Sequence, residues 1–200
     1  MELNNEFTVS VPVNEAFKVL TDLERIAPCL PGAQLREVEG DEYRGIVKVK
    51  VGPITAQYEG TARLGELDEA GGRIVLNANG RESRGQGNAS AVVTATLVAE
   101  GQGTRVQVRT ELSITGKVAQ MGRGVLADVS TKLMDQFAQA LEANLSTFKD
   151  SGTRKIYNPE PAPINLTSVA GAPVARRVGP MIGTVVVVLW LLRRRRRHRR

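Results

Sequence analysis

The chain has 200 residues, 42% hydrophobic and 24% charged, an ordinary globular composition that suggests one domain plus extras. A single cysteine, Cys29, excludes an internal disulfide framework and fits a reducing compartment. The formal net charge of +6 belongs to the C-terminus: seven of the 27 basic residues are arginines between 193 and 200, while residues 1–150 carry 16 basic against 20 acidic groups, which argues against a nucleic-acid face on the domain.

The first ten residues alternate polar and apolar side chains and include Glu2 and Glu6, unlike a charged-then-apolar leader, so the domain is expected in the cytoplasm. Leu3, Phe7, Val9 and Val11 predict an opening strand that Pro12 ends. Asn14 is the expected N-cap of a short helix carrying Ala16, Phe17, Leu20, Leu23 and Ile26, and Pro28 is expected to stop it. The apolar stretch Pro28 to Gly32 reads as neither helix nor strand, held by packing or serving as a rim.

From Ala33 to Thr115 the pattern is repeated alternation between turn residues. It predicts strands over Gln34–Glu39, Tyr43–Val51, Ile54–Leu67, Arg73–Gly80, Ala89–Ala99 and Thr104–Ile114. Short connections make these antiparallel neighbours. After Gly124, Val125, Val129, Leu133, Phe137, Leu141, Leu145 and Phe148 recur every three or four residues, widened by Leu126, Met134 and Ala138, which predicts one long amphipathic helix. The expected fold class is α+β: a curved antiparallel sheet of about seven strands wrapped around that C-terminal helix.

The strand faces turned to the helix are rich in Gly and Ala, among them Gly45, Gly60, Ala62, Ala78, Gly80, Ala91 and Ala95, with Tyr43 and Tyr58 the aromatic members. Interiors pack densely, so this small side-chain volume predicts either a sheet flattened onto its helix or a cavity, and a cavity is the expectation. The alternatives are that small residues let the helix sit close, or that the glycines mark bends.

Residues 149–177, with Pro159, Pro161, Pro163 and Pro173, read as a flexible linker; the 27 residues from Ser151 to Arg177 reach roughly 30 Å. Val178 to Leu192 carries no charge and is followed by an arginine-rich end, so residues 178–200 are expected to anchor the chain to a membrane through Val185, Leu189, Trp190, Arg193 and Arg194. Fifteen residues make about 22 Å of helix, short of a bilayer core of about 30 Å. Shallow insertion with the arginines on anionic headgroups avoids the conflict with the positive-inside tendency that spanning would bring. A nucleic-acid tail would leave the apolar segment unexplained.

Chemistry-bearing groups are few. The single histidine, His198, lies in the arginine block, so neither a His-based triad nor a His-rich metal site is expected, and no catalytic or metal residue is assigned. Cys29 has no domain histidine to activate it and reads as a small apolar loop residue. Arg81, Glu82 and Arg84 read as a surface ion cluster, or else as a docking patch or cavity lid. Tyr43, Tyr58 and Thr110 are placed to orient a ligand or to fill core.

Leu30-Pro31-Gly32 after the first helix, Val51-Gly52-Pro53 between central strands, and Gly116 to Gly122 leading into the last helix resemble the G-subunit family of carbon monoxide dehydrogenase. The likeness covers roughly residues 1–148 and places the domain in the START-related helix-grip superfamily. It implies a hydrophobic cavity between sheet and helix, an accessory role without a redox centre, and association with a molybdenum-containing carbon monoxide dehydrogenase, or a related hydroxylase, at the cytoplasmic membrane. The combined expectation is a non-enzymatic carrier at the cytoplasmic face of the cell membrane, serving electron transport. It would take up a lipophilic molecule, best a respiratory quinone (menaquinone or ubiquinone), through Leu30, Tyr43, Tyr58, Ala78, Ala95, Val129, Leu133 and Phe137. The alternative is a recruitment module with a solid interior.

Overall fold

The computed structural model describes residues 1–150, with side chains through Ser146. The predicted linker and anchor, including Val185, Leu189, Trp190, Arg193 and Arg194, lie outside the described residues. Among the described residues no helix is long and apolar enough to cross a membrane.

Strand β1 (Glu2–Val9) buries Leu3, Phe7 and Val9 on one face. Helix α1 (Val13–Thr21) starts two residues earlier than the Asn14 cap predicts. Its N-cap is Pro12, whose extended backbone aims its carbonyl at the amides of Glu15 and Ala16 (3.0 and 2.9 Å). The predicted single helix is in fact two: the Asp22 backbone breaks the ladder, and its carboxylate accepts the Arg25 amide at 3.1 Å to cap a one-turn helix, α2 (Leu23–Ile26). Pro28 does not end the helical path. It sits at the start of a 3-10 turn, Ala27–Cys29, where a missing N–H costs no hydrogen bond. Gly32, at φ 76°, then accepts the Lys48 amide through its carbonyl (2.8 Å), which ties this loop to the sheet.

The meander is β2 (Ala33–Glu39), β3 (Glu42–Val51), β4 (Ile54–Asp68), β5 (Arg73–Glu82), β6 (Asn88–Glu100) and β7 (Gly103–Ile114). The sheet order is β1-β7-β6-β5-β4-β3-β2, all antiparallel, so β1 closes against the last strand of the meander. A second 3-10 turn, Val118–Met121, leads into α3 (Arg123–Asp150).

Helix α3 lies along β1 rather than across the middle of the sheet. Asn5 donates to Ser130 Oγ at 2.8 Å, Phe7 meets Phe137 edge to face at 5.6 Å, and the Ser10 amide donates to Glu142 at 3.1 Å. Twelve helical residues from Ser130 to Glu142 rise about 18 Å, and the strand from Asn5 to Ser10 covers about 17 Å, so the two run side by side in the same direction.

Burial then falls into two clusters. The larger joins Phe7, Val9 and Val11 of the N-terminus to α1, α2, Ile74, Leu97, Val106, Val108 and the helix positions Phe137, Leu141 and Leu145. The smaller holds Ala56, Val118 and Leu126, with Val49, Ile54, Tyr58 and Ile114 packed on it. At the N-terminal end of α3 the inward position is therefore Leu126 (8% exposed), and Val125, which the heptad-like stripe puts inside, is 38% exposed. The 3-10 turn sets this phase, because Val118 and Leu126 must reach Ala56 together. Replacing Leu126 by Ala is expected to cost about 2–4 kcal/mol in urea unfolding, and Val125→Ala less than about 0.5 kcal/mol. Equal losses would contradict this phase.

Candidate functional site

Between the two clusters lies a part of the inner sheet face that neither covers. Cross-strand register aligns Tyr43, Ala62, Ala78, Ala91 and Leu112 in one row and Gly45, Gly60, Gly80, Ala89 and Ile114 in the next. Ala62, Ala78, Ala91 and Leu112 are half-buried and belong to neither cluster, and on α3 the same holds for Val129 and Leu133. These half-buried positions form an apolar stretch, largely Gly and Ala on the sheet, outside both clusters. Two of the glycines also serve close strand approach. A Cβ on Gly60 would stand 2.0 Å from the Asn79 carbonyl oxygen, and one on Gly45 2.6 Å from that of Gln34, so the chains come too near for any side chain.

The residues expected to bind ligand divide four ways. Ala78, Val129 and Leu133 lie between the clusters; Tyr43 and Ala95 pack against the larger one and Tyr58 against the smaller. Phe137, 6% exposed and packed edge to face on Phe7, belongs to the closed core. Leu30 is 43% exposed on the loop that Gly32 ties to β3.

At the small-cluster end, Val47, Tyr58 and Glu82 align across β3, β4 and β5. Tyr58 Oη is shielded from solvent and has no hydrogen-bond partner among the described residues. Burial pushes the phenol up from its ordinary pKa, and the nearby Glu82 carboxylate adds to this, so the hydroxyl stays protonated. Glu82 corrects the predicted ion cluster: β5 runs two residues past Gly80, which turns Glu82 to the inner face, half-buried against the turn at Gly85 and Gly87. No ion pair joins it to Arg81 or Arg84 among the described residues. Alternation extended through Gly80 and Arg81 is the one sequence signal for this inward position, and the glycine masks it.

The outer face is polar. Concavities of about 440 and 780 Å³ lie there, one lined by Gly60, Thr61, Asn79, Gly80, Ser90 and Ser113 and the other by Thr94, Thr96 and Gln107. On its rim Glu42 accepts from Arg44 (2.8 Å) and Arg63 (2.6 Å), which hold its carboxyl below the usual carboxylate range. This is a solvated ion-pair network. Among the described residues no group of three or more His, Cys, Asp or Glu stands together to hold a metal ion.

A family model for the G-subunit of carbon monoxide dehydrogenase (CoxG) matches residues 6–146. The chain belongs to this family. No curated protein sequence matches the chain. Among solved structures, a conserved protein from Geobacillus kaustophilus is similar, at 19% identity and TM-score 0.63, over 74% of this chain and 96% of that one. A Thermus thermophilus protein is similar at 16% identity and TM-score 0.55, over 74% and 99%. A START superfamily protein from Mycobacterium smegmatis is similar at 12% identity and TM-score 0.52, over 74% and 98%. The α+β helix-grip fold of the CoxG chain is thus shared with the START superfamily. Family and fold together point to a ligand-binding carrier or accessory role.

Cys29 of this CoxG chain is buried, with Sγ 3.5 Å from the Asn144 amide nitrogen that donates to it. Burial pushes its thiol up in pKa; the Asn144 bond and the Arg25 charge act in the opposite direction and are outweighed. The folded state therefore holds this proton more tightly than the unfolded chain, and the stability it contributes is present below the unfolded thiol pKa and lost as pH rises through the folded one. Native protein at pH 8 is expected to react with a maleimide at least tenfold more slowly than urea-unfolded protein. Equal rates would show an accessible thiolate.

Proposed function

We propose that this protein is a membrane-tethered carrier that takes a lipophilic molecule, best a respiratory quinone, into the apolar stretch between the two clusters and presents it to a molybdenum-containing carbon monoxide dehydrogenase. The observation that carries the reading is the division of the interior: α3 is buried at both ends and half-buried at Val129 and Leu133, opposite a floor of Gly and Ala. An apolar guest there gains about 25 cal/mol for each Å² of apolar surface it hides, so binding needs no catalytic group.

The partner enters through the family's name, which refers to carbon monoxide dehydrogenase. A soluble enzyme that oxidises a gas must pass electrons on, and a quinone is a carrier that water does not dissolve. The membrane enters through the sequence: an uncharged run from Val178 to Leu192, seven arginines beyond it, and a proline-containing linker long enough to let the domain leave the surface. Localisation at the cytoplasmic face of the cell membrane follows from the same reading.

Organic extraction of the purified full-length protein, followed by mass spectrometry, is expected to release a polyprenyl quinone at near-stoichiometric amount. Protein that carries no lipophile, and takes none up from quinone-loaded vesicles, would leave recruitment of the dehydrogenase as the function. Deleting residues 178–200 is expected to move the protein from the membrane pellet to the supernatant on cell fractionation. A truncated protein that still pellets would refute the tether.

A further inference from the structure

Resting on the membrane-tethered reading, we propose that the domain itself also meets the bilayer, and does so end-on: the β3–β4 and β5–β6 turns and the 3-10 turn ahead of α3 form one face that docks on anionic lipid headgroups.

Three segments far apart in the chain converge at this end. A Cβ on Gly52 would meet Met121 Cε at 3.7 Å, so the 3-10 turn lies against the β3–β4 turn. A Cβ on Gly116 would stand 2.8 Å from Gly87 Cα, so the start of the same connection is pressed on the β5–β6 turn. Together, residues 50–55, 81–88 and 115–124 carry five cations, Lys50, Arg81, Arg84, Lys117 and Arg123, against one carboxylate, Glu82. Glu82 is half-buried beneath its turn, towards Gly85, Gly87 and Gly116, whereas Arg81, Arg84, Lys117 and Arg123 are exposed. Among the described residues none of these four makes an ion pair. Glu59 stands across from Arg81 in the β4–β5 register and Asp128 follows in the second turn of α3, which still leaves the face net positive.

Charge alone would suit any polyanion. The apolar members of the face select a bilayer: Pro53 is exposed, Val125 is 38% exposed, and Met121 is half-buried beside Gly52. A bilayer takes cations at its headgroups and apolar side chains just beneath them, whereas a phosphate backbone has no place for the latter.

The opposite end has the opposite charge. Its turns, residues 39–42, 66–72 and 99–103, hold seven carboxylates and no cation, and only four of the seven are paired with arginines on the strands. An anionic leaflet therefore attracts one end of the domain and repels the other. The chain leaves α3 at the carboxylate end, where Val9 pairs with Thr104 beside the β6–β7 turn and Ser10 meets Glu142. The 28 residues of α3 rise about 42 Å. The 27 residues from Ser151 to Arg177 can extend to about 90 Å, so the tether lets either end face the bilayer and charge makes the choice.

The test uses the full-length protein with a maleimide fluorophore on Gln120→Cys, at the basic end, or on Glu69→Cys, at the other; the wild type, whose Cys29 is buried, is the labelling blank. Vesicles of phosphatidylcholine, alone or with about one-third phosphatidylglycerol, carry a nitroxide quencher on the headgroup. On anionic vesicles the label at position 120 is expected to be quenched at least threefold more than the label at 69. Each cation near an anionic leaflet raises affinity about fivefold, so Arg84→Glu, Lys117→Glu and Arg123→Glu together should abolish the quenching at 120. The same variant should still pellet with vesicles through its tail and unfold at the wild-type temperature. If the protein pellets but the two labels are quenched alike, or neutral vesicles quench position 120 as well as anionic ones, or the triple variant keeps the wild-type quenching, the docking face is wrong and the tether stands. If the protein pellets with neither kind of vesicle, the tethered reading fails and the docking with it. If the label at 120 is silent on vesicles but gains anisotropy with polyglutamate, the face fits an acidic protein and the bilayer assignment falls.

Discussion

The contact on which the rest depends is the alignment of α3 with β1. An aromatic pair, Phe7 on Phe137, fixes the middle of this seam, and the polar pairs Asn5 with Ser130 and Ser10 with Glu142 fix its register on either side. The helix is held along β1, the edge strand, and reaches the central strands through the two clusters, where Leu126 joins Ala56 and Phe137 joins Ile74 and Leu97. The inner face of β3 to β6 must be covered by other side chains or remain open to a guest. Gly and Ala at the crossing rows contribute little side-chain volume there.

The same constraint explains why the interior is two clusters instead of one. Helices α1 and α2 and the 3-10 turn at Cys29 pack where α3 ends, and supply the bulk for the larger cluster. At the other end the turn at Val118 and the first turn of α3 bring Val118 and Leu126 down on Ala56. Between them α3 has Val129 and Leu133 but no aromatic residue, and the facing rows of β4 and β5 carry only Gly and Ala. In the proposed carrier role, the two clusters would hold the fold with or without a guest.

Much of the fold is legible in the chain itself. Period-two alternation broken by Gly and Pro sets the strands almost to the residue, because each strand has one face in contact with apolar neighbours and one in water. The helix boundaries near Pro12, Asp22 and Pro28 are less so, since capping depends on where carbonyls point after the chain turns, which residue type alone does not specify. Of the site, Ala78, Val129 and Leu133 can be placed from the apolar stripes. Phe137 cannot be told from a lining residue, because a stripe gives the face of a helix and not the depth to which each position is buried. Glu82 reads as a surface group because a carboxylate beside two arginines is usually solvated.

By itself the sequence determined the element order, the antiparallel pairing of neighbours, the small-residue inner face and the family, because these follow from local periodicity, short connections and composition. Only the tertiary structure decided that α3 lies on β1, that Leu126 rather than Val125 faces inward, that the core is divided, and that Tyr58 and Glu82 stand opposite each other across β4 and β5. Those are relations between residues far apart in the chain, set by which surfaces can approach once every backbone hydrogen bond is satisfied, and no local pattern encodes them.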